Sequence, residues 1–275
     1  MSGGWDIEQL DLGAYLRRIG HATDVAPTAE ALAALHRAHV GSIPFENLDI
    51  VLGRGIAVDL ESVQDKLVER RRGGYCYEHG VLFAAALERI GFQVERMLAR
   101  VGGEDLERPR ATTHMTVRAH AGGARWLADV GFGSGLLSPL AFDDPGPQRQ
   151  GGWTFEIAAA GPSSWRLREQ RSGEWVTQYG FDEQRLFAAD VVMANHFTST
   201  FHRSPFVGRP VVARRDEDAL RRLVGRTFTL ERPDGSAEER EVGEDELGGL
   251  LRDVFAIPLT DGEVEQLTFV SRAAG

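Results

Sequence analysis

The first third of the chain carries its apolar residues at helical spacing. From Asp11 to about Gly91, apolar side chains recur every three or four positions, as expected of helices that bury one face. The three clearest stripes are Ala31, Leu32 and Leu35; Leu60, Val63 and Leu67; and Leu82, Phe83, Ala86, Leu87 and Ile90. A Gly- and Pro-containing loop at 41–47 separates the first stripe from the second. The pattern predicts a helical domain over residues 1–91.

The pattern changes beyond about Phe92 to short extended runs punctuated by glycine and proline. The runs are 96–101, 115–119, 126–130, 153–158 and 165–167. They predict a compact antiparallel sheet or barrel over residues 92–200.

The last section, residues 201–275, mixes both patterns. Two extended runs, Thr227 to Glu231 and Glu239 to Val242, flank a Pro-Asp-Gly turn, and a helical stripe follows between Leu247 and Phe255. Each of the three sections is small. We therefore expect them to pack on one another as one unit of the α+β class.

Composition excludes several classes of protein. The chain has 275 residues, of which 42% are hydrophobic and 26% charged, with a formal net charge of -10, as in an ordinary globular protein and unlike a disordered one. The negative charge repels phosphate backbones, and the sequence shows no strong basic patch, so we expect no nucleic-acid partner.

No segment of the sequence predicts a membrane partner. The longest apolar candidate, Gly80 to Leu87, stops at Glu88 and is far too short to span a bilayer. The N-terminus carries acidic residues and lacks the cationic stretch of a secretory signal. We expect a soluble, cytoplasmic protein.

Cys76 is the only cysteine, so an internal disulfide or a cysteine-rich zinc site is excluded. It follows two glycines in Arg72-Gly-Gly-Tyr-Cys-Tyr-Glu-His-Gly and precedes the third helical stripe. Glycines permit a sharp turn, and the free N–H groups and positive dipole end of a first helical turn favour a thiolate. Cys76 is therefore a candidate nucleophile. A buried core thiol is the alternative.

A thiolate nucleophile needs a base and a group that orients the base, and a predicted hairpin supplies both. The segment from Thr113 to Gly131 turns on Gly122-Gly123, so that paired residue numbers sum to 245. This register places apolar residues on one face and brings His114 diagonal to Asp129 on the other, about 7 to 8 Å apart at the backbone. The alternative is a polar face that simply meets water. The sequence does not fix whether Cys76, 38 positions before His114, faces the same pair.

Other candidate residues carry weaker signals. His36 and His39 have the spacing of helical metal ligands but no evident third ligand, so we expect an exposed helical face and no metal. His79, three positions after Cys76, is expected to pack or to be solvated. Gly131-Phe-Gly-Ser-Gly resembles part of a dinucleotide fingerprint, but no crossover helix follows it. Its glycines, Gly131 and Gly133 among them, could let backbone N–H groups approach an anion.

Four motifs occur in order along the chain. They are Ile43-Pro-Phe-Glu-Asn-Leu-Asp-Ile, Arg72-Gly-Gly-Tyr-Cys-Tyr-Glu, Thr113-His-Met and Asp129-Val-Gly-Phe-Gly. Together they resemble the arylamine N-acetyltransferase family. The resemblance implies a helical first domain, a β-barrel second domain and an α/β lid around a cysteine-protease-like core. It also implies a Cys-His-Asp triad at Cys76, His114 and Asp129. Those are the residues that the helix-start and hairpin arguments select.

The resemblance further implies an acceptor pocket. Phe45, Thr113 and Phe132 would lie in it, Tyr77 would stand beside the nucleophile, and Phe206 would line it from the last section. The sequence departs from the family pattern where Phe201-His202 replaces a His-Pro pair and where Gly80 replaces a common Asn.

The implied reaction is ping-pong transfer of an acetyl group from acetyl-CoA to an arylamine or hydrazine, without a metal. The phosphates of coenzyme A need cationic or N–H-rich surface, for which Gly131, Gly133 and an arginine set are candidates. That set is Arg203, Arg209, Arg214 and Arg215. The alternatives are an amide synthase that releases a polyketide-type acyl chain with the same triad and a cysteine hydrolase. The oligomeric state is left open, a homo-oligomer included.

Overall fold

The computed structural model describes residues 4–102, 110–144 and 146–273. The α-helices in these ranges are α1 (Leu12–Arg18), α2 (Ala29–Ser42), α3 (Leu48–Val51), α4 (Leu60–Gln64), α5 (Cys76–Ile90), α6 (Ala188–Thr200), α7 (Glu244–Asp253) and α8 (Asp261–Ala273). A 3₁₀ turn at Ile7–Gln9 precedes α1, and a π-helical stretch at Asp65–Glu69 continues α4. Side-chain oxygens of Asp11, Thr28 and Asp59 cap the starts of α1, α2 and α4.

The strands form two antiparallel sheets. They are β1 (Phe45–Glu46), β2 (Gln93–Val101), β3 (His114–Ala121), β4 (Ala124–Leu127), β5 (Leu140–Ala141), β6 (Gln148–Gln150), β7 (Trp153–Gly161), β8 (Ser164–Arg171), β9 (Glu174–Asp182), β10 (Val211–Arg215), β11 (Leu220–Val224), β12 (Thr227–Glu231) and β13 (Ala237–Glu241).

The larger sheet has eight strands in the order β5-β4-β3-β2-β9-β8-β7-β6 and curls into a nearly closed barrel. Its two edge strands approach each other where the side chain of Gln148 on β6 bonds both backbone groups of Ala141 on β5. The barrel interior is filled by a cluster that includes Leu127, Phe155 and Leu167. Inward and outward residues alternate along each strand, as the pleat requires.

The smaller sheet has the order β1-β10-β11-β12-β13 and joins distant parts of the chain. Strand β1 comes from the N-terminal section and pairs with β10, with Phe45 opposite Ala213 and Glu46 opposite Val212. A separate apolar cluster joins this sheet to α3, α7 and α8. Backbone pairing between β1 and β10 therefore joins the first and last sections of the sequence.

Helix α5 is the centre of the helical section. Every residue from Cys76 to Leu87 is buried, because the helix packs against other helices on one side and against β2 and β3 on the other. A helix that is buried on all sides lies in the core of a protein. Its first residue is the cysteine, so the core of the protein fixes the position of that thiol.

The α+β class predicted from the sequence is confirmed, and the predicted run Thr227–Glu231 is a strand with those bounds. The extended pattern expected up to residue 200 is wrong at its end, where Ala188–Thr200 is helical. The division at residues 91 and 200 stays a prediction. Within the described ranges, no helix has both the length and the apolar content needed to cross a membrane.

Candidate active site

The predicted hairpin register is present in β3 and β4. Arg118 pairs with Leu127 and Ala121 with Ala124, so paired numbers sum to 245. Gly122 and Gly123 have φ values of 60° and 79°, which suit a tight two-residue turn that non-glycine residues adopt only with strain. The regular ladder ends at Leu127, but Ala128 still donates to the carbonyl of Val117 over 2.8 Å. This bond extends the pairing by one residue, so that the next residue, Asp129, lies beside His114.

His114 and Asp129 are directly hydrogen-bonded, with 2.6 Å between Nε2 of the ring and Oδ2 of the carboxylate. Both side chains are buried, each residue being 2% exposed. The alternative of a solvated polar face is therefore wrong for this hairpin, because the barrel covers the polar side of β3. Asp129 also accepts bonds from the Tyr179 hydroxyl at Oδ2 and from the Gly131 N–H at Oδ1.

Cys76 is the first residue of α5 and is 3% exposed. Its sulfur lies 3.7 Å from the carbonyl oxygen of Thr113, the residue before His114, and its thiol interacts with the His114 ring. Since Nε2 of the ring is occupied by Asp129, Nδ1 is the nitrogen left for the thiol. The fold thus brings together the three residues that the sequence selects, although it buries the cysteine almost completely.

The electrostatics of this group favour a charged imidazole. Burial alone would lower the pKa of His114, but the Asp129 carboxylate, and then the Cys76 thiol, raise that pKa to about 10. Burial raises the pKa of Asp129, yet the charge and hydrogen bond of His114, with the Tyr179 hydroxyl and the Gly131 N–H, bring it below its ordinary value. At neutral pH the pair is therefore an imidazolium and a carboxylate.

A buried ionic network holds the turn that precedes the cysteine. Glu78 accepts a bond from the Tyr75 N–H at the start of α5, and Lys66 pairs with both Glu78 and Asp49 at 2.8 and 3.0 Å. Arg72, at the start of the same turn, pairs with the buried carboxylate of Glu46 over 2.8 Å. Because each buried charge has a partner, the network can fix the backbone around Cys76.

Cys76 and His114 lie in the wall of a cavity of about 600 Å³. Predicted pocket residues Phe45, Thr113, Phe132 and Phe206 also line it. The Phe132 ring meets the His114 ring edge-on at 5.0 Å, and the rings of Phe45 and Phe206 lie 5.9 Å apart. The site is thus a mainly apolar chamber with a reactive group in one wall, which is the usual construction of a small-molecule site.

Two of the predicted site residues have partners within the protein. Tyr77 is not among the residues that line the cavity; it is fully buried next to Cys76, and its hydroxyl meets that of Thr198 at 3.2 Å, so a substrate contact of Tyr77 stays a prediction. The Gly131 N–H is bonded to Asp129 and is not free for an anion. A Cβ at Gly131 would lie 3.0 Å from the Cα and carbonyl oxygen of Cys76, which explains the glycine by close approach. An ion-binding role of Gly131 and Gly133 stays a prediction.

The expected exposed face of His36 and His39 is wrong, since both residues are completely buried. His39 bonds Tyr15 through Nδ1 and His79 through Nε2, each at 2.9 Å, while His79 bonds the Pro44 carbonyl. Burial lowers the pKa of His79 to about 4. In the described part of the chain, no group of three or more His, Cys, Asp and Glu side chains is arranged to hold a metal ion.

Two of the four candidate arginines are occupied elsewhere. Arg215 is buried; its guanidinium lies 2.7 Å from the Glu169 carboxylate and stacks over the ring of Trp153. Arg214 donates to the carbonyl oxygens of Gly41 and Val254. Arg203 and Arg209 are exposed, and Arg203 lines the cavity. The expectation for Arg215 as a phosphate ligand is therefore wrong.

A protein-family model described as N-acetyltransferase matches residues 28–264 of the chain. Over 230 residues the chain is 38% identical to the arylamine N-acetyltransferase of Mycolicibacterium smegmatis, covering 81% of this chain and 83% of that protein. The chain belongs to the arylamine N-acetyltransferase family. The resemblance noted in the sequence is confirmed, and the protein is an acyltransferase.

Solved arylamine N-acetyltransferases share the whole fold. The crystal structure of the Nocardia farcinica protein superposes with a TM-score of 0.89 at 41% identity, covering 96% of this chain and 95% of that one. The Mycobacterium marinum protein in complex with CoA gives a TM-score of 0.89 at 31% identity, covering 96% and 99%.

Two features of the site were not anticipated from the sequence. Tyr179 lies in a strand whose neighbours give no sign that its hydroxyl meets a carboxylate 50 positions away. Helix α6 supplies Phe197 and Thr198 to the cavity wall from a stretch that was expected to be extended. At Gly80, a Cβ would lie 3.0 Å from the Met115 side chain, so a larger residue at this position would require that side chain to move.

Proposed function

We propose that this chain moves an acetyl group from acetyl-CoA to an arylamine or hydrazine through an acetyl-cysteine intermediate. Cys76 is the nucleophile, His114 the acid and base, and Asp129 the group that orients the imidazole. The observation that carries the proposal is the 2.6 Å hydrogen bond between His114 and Asp129. The thiol of Cys76 interacts with the same His114 ring, and Cys76 lies in the cavity wall.

The first half-reaction loads the enzyme. The sulfur of Cys76 attacks the thioester carbonyl carbon of acetyl-CoA, a new carbon–sulfur bond forms, and the bond to coenzyme A breaks. Backbone N–H groups of the first turn of α5 are suited to hold the negative oxygen of the intermediate, because they lack partners within the helix. His114 as imidazolium gives its proton to the departing thiolate. Coenzyme A then leaves.

The second half-reaction discharges the acetyl group. The amine nitrogen of the acceptor attacks the acetyl carbonyl, His114 accepts the proton that the nitrogen loses, and the bond to the Cys76 sulfur breaks. Asp129 keeps Nε2 of the ring protonated, so that Nδ1 is free to act as the base. An aromatic amine is weakly basic and largely neutral at pH 7, which suits this nucleophilic step.

The apolar cavity supports an aromatic acceptor. Phe45, Phe132 and Phe206 offer ring faces and edges on which an aryl group can pack, and Thr113 borders the space beside the thiol. The charged side chains in the described lining, apart from His114, are Arg110, Arg203 and Arg222. Cationic side chains at the wall of an otherwise acidic protein favour an anionic donor such as coenzyme A. The Mycobacterium marinum relative in complex with CoA supports this donor.

In this proposal, each of the three sections of the chain contributes residues to the site. A helical domain of residues 1–91 carries Cys76, a barrel domain of 92–200 carries His114 and Asp129, and residues 201–275 form a lid that adds Phe206. Each half-reaction therefore needs contacts from more than one section.

Intact-protein mass spectrometry tests the proposal. Incubation with acetyl-CoA should add one acetyl group, an aromatic amine should then remove it as an N-acetylated product, and Cys76→Ala should gain no mass while melting near the wild-type temperature. Acetylation that persists in Cys76→Ala would remove the nucleophile assignment. Labelling only by a long-chain acyl donor would instead support an amide synthase, and peptide cleavage without an adduct would support a hydrolase.

A further inference from the structure

The side chain of Asn47 joins two walls of the cavity from outside the cavity. It lies directly after β1 and is completely buried. Its Oδ1 accepts a bond from the Val211 N–H over 2.7 Å, and its Nδ2 donates to the carbonyl oxygens of Phe206 and Arg209 over 2.7 and 2.9 Å. An amide has two N–H donors, and both are used here. The pattern of partners also fixes the orientation of the amide.

Asn47 stands where the β1–β10 ladder stops. In that ladder Phe45 lies opposite Ala213 and Glu46 opposite Val212, so the next position would place Asn47 opposite Val211. The side-chain oxygen takes the Val211 N–H that a backbone carbonyl would take in a longer strand. The two donors then hold the irregular segment before β10. The Asn47 side chain therefore provides a hydrogen bond to β10 that the backbone would provide if the β1–β10 ladder were longer.

The segment that Asn47 holds carries an aromatic wall of the cavity. Phe206 packs against Phe45 at 5.9 Å between ring centroids and against Tyr75 at 5.7 Å. Phe45, Phe206 and Val211 all line the cavity that contains Cys76. The amide thus sets the distance between Phe45, two residues before it, and Phe206, whose carbonyl it binds.

We infer that Asn47 is a positioning residue for the acceptor half-reaction, fixing Phe206 against Phe45 so that an aromatic amine is held over the acetyl-cysteine. The inference rests on the proposed function. Within the described ranges, the side-chain hydrogen bonds of Asn47 go to residues 206–211 and none goes to Cys76, His114 or Asp129. Its effect should therefore fall on aromatic acceptors and spare the loading step.

The substitution Asn47→Asp isolates this role. A carboxylate keeps an acceptor for the Val211 N–H but turns an oxygen toward the carbonyl oxygens of Phe206 and Arg209, which repels the segment. Asn47→Ala leaves room for water and adds no charge, so it should have the milder effect. The acceptors are a single-ring aromatic amine and hydrazine, which has no ring to pack on Phe206.

Each protein is first loaded with acetyl-CoA, and the fraction acetylated on Cys76 by intact mass normalises the rates. Asn47→Asp should raise KM for the aromatic amine at least tenfold, while the loading rate and the rate of discharge by hydrazine stay within about twofold. The increase should be smaller in Asn47→Ala. Asn47→Asp combined with Phe206→Ala should be no worse than Phe206→Ala alone, because both act through the same ring.

The outcomes separate the inference from the proposed function. Wild-type protein that is not acetylated on Cys76 would refute the proposed function. Acetylation of wild type with equal losses for loading, hydrazine and the aromatic amine in both Asn47 variants would overturn the inference alone. Additive effects of Asn47→Asp and Phe206→Ala would also overturn it. If neither Asn47 variant gives a cooperative melt, Asn47 is a folding residue and the inference fails.

Discussion

The Tyr179 hydroxyl donates to the same Asp129 oxygen that meets Nε2 of His114, and both distances are 2.6 Å. The Asp129 carboxylate therefore accepts one hydrogen bond from Tyr179, on a strand of the barrel, and one from the hairpin residue His114. The Tyr179 ring also packs on His114, with 4.8 Å between the ring centroids. Tyr179 thus contributes a hydrogen bond and a packing surface that a substitution can separate.

Tyr179→Phe should remove the hydrogen bond and keep the ring. The hydroxyl is one of the groups that lower the pKa of Asp129, so its loss raises that pKa and moves the acid limb of the acetylation rate to higher pH. Loss of a hydrogen bond to a charged group should also cost about 1.5 to 3 kcal/mol of unfolding free energy. The measurements are the pH profile of Cys76 acetylation and urea unfolding. An unshifted acid limb would show that Tyr179 acts by packing alone.

Asp129→Asn should slow turnover by about 10³- to 10⁴-fold, as in other triads that lose control of the histidine tautomer. The Gly131 N–H needs an acceptor, so the Asn oxygen turns toward it and the amide nitrogen faces Nε2 of His114. The ring must then carry its proton on Nδ1, where it cannot accept one from a substrate. The pKa of His114 should also fall, because the carboxylate is the main group raising it.

The rate of Cys76 alkylation by iodoacetamide at pH 7, measured beside turnover, reports this change. Alkylation should slow in Asp129→Asn, since an imidazolium beside the sulfur favours the reactive thiolate. An unchanged alkylation rate and turnover near wild type would make Asp129 a structural residue only.

Gly131→Ala should displace the Cys76 backbone while leaving the three side chains Cys76, His114 and Asp129 in the protein. The new Cβ would lie 3.0 Å from the Cα and carbonyl oxygen of Cys76 and 3.2 Å from Cβ of His79, so the start of α5 must shift. We expect a loss of about 1 to 3 kcal/mol in unfolding free energy, typical of overpacking, and slower acetylation of Cys76. Thermal melting and the loading rate measure the two effects.

Gly41→Ala is the matched control, because nothing lies within 4 Å of a Cβ at that position in α2. It should stabilise the protein slightly through the higher helix propensity of alanine. If Gly131→Ala behaved like Gly41→Ala in both assays, close approach to Cys76 would not explain Gly131.

The hairpin could be predicted because its information is local. The two-residue periodicity and the Gly122-Gly123 turn fix the register, and the register brings His114 close to Asp129. The contact of Cys76 with that pair depends instead on how α5 packs against β3. No spacing in the sequence encodes the angle between those two elements.

Helix α6 and the buried histidines show where local patterns fail. The apolar residues of α6 surround the helix, including the exposed Val192 and Met193, so they form no stripe that would reveal a helix. His36 and His39 have the spacing of an exposed face, but their partners come from other elements. His39 meets Tyr15 and His79, and His36 meets the Asp129 carbonyl. Tertiary contacts decided their burial.

The buried histidines should make the protein sensitive to acid. Burial lowers the pKa of His36 and of His79 to about 4 and that of His39 well below its ordinary value. The unfolded chain binds these protons near pH 6.5, so unfolding free energy falls as the pH drops from about 6.5 toward 4. Each histidine contributes a slope of about 1.4 kcal/mol per pH unit. The contribution of His114 to the pH dependence has the opposite sign. Its pKa is raised to about 10 in the folded protein, so the stability that it adds is lost only as the pH rises above 6.5.

His79→Gln tests the origin of this sensitivity. A Gln side chain can donate to the Pro44 carbonyl and accept from His39, as His79 does, but it does not titrate. Urea unfolding between pH 4.5 and 7.5 should show that, below pH 6.5, the slope of unfolding free energy against pH is reduced by about one histidine, or roughly 1.4 kcal/mol per pH unit. His202→Gln, at the surface, should keep the wild-type profile. A His79→Gln profile that parallels wild type would show that His79 is not one of the groups that take up protons on unfolding.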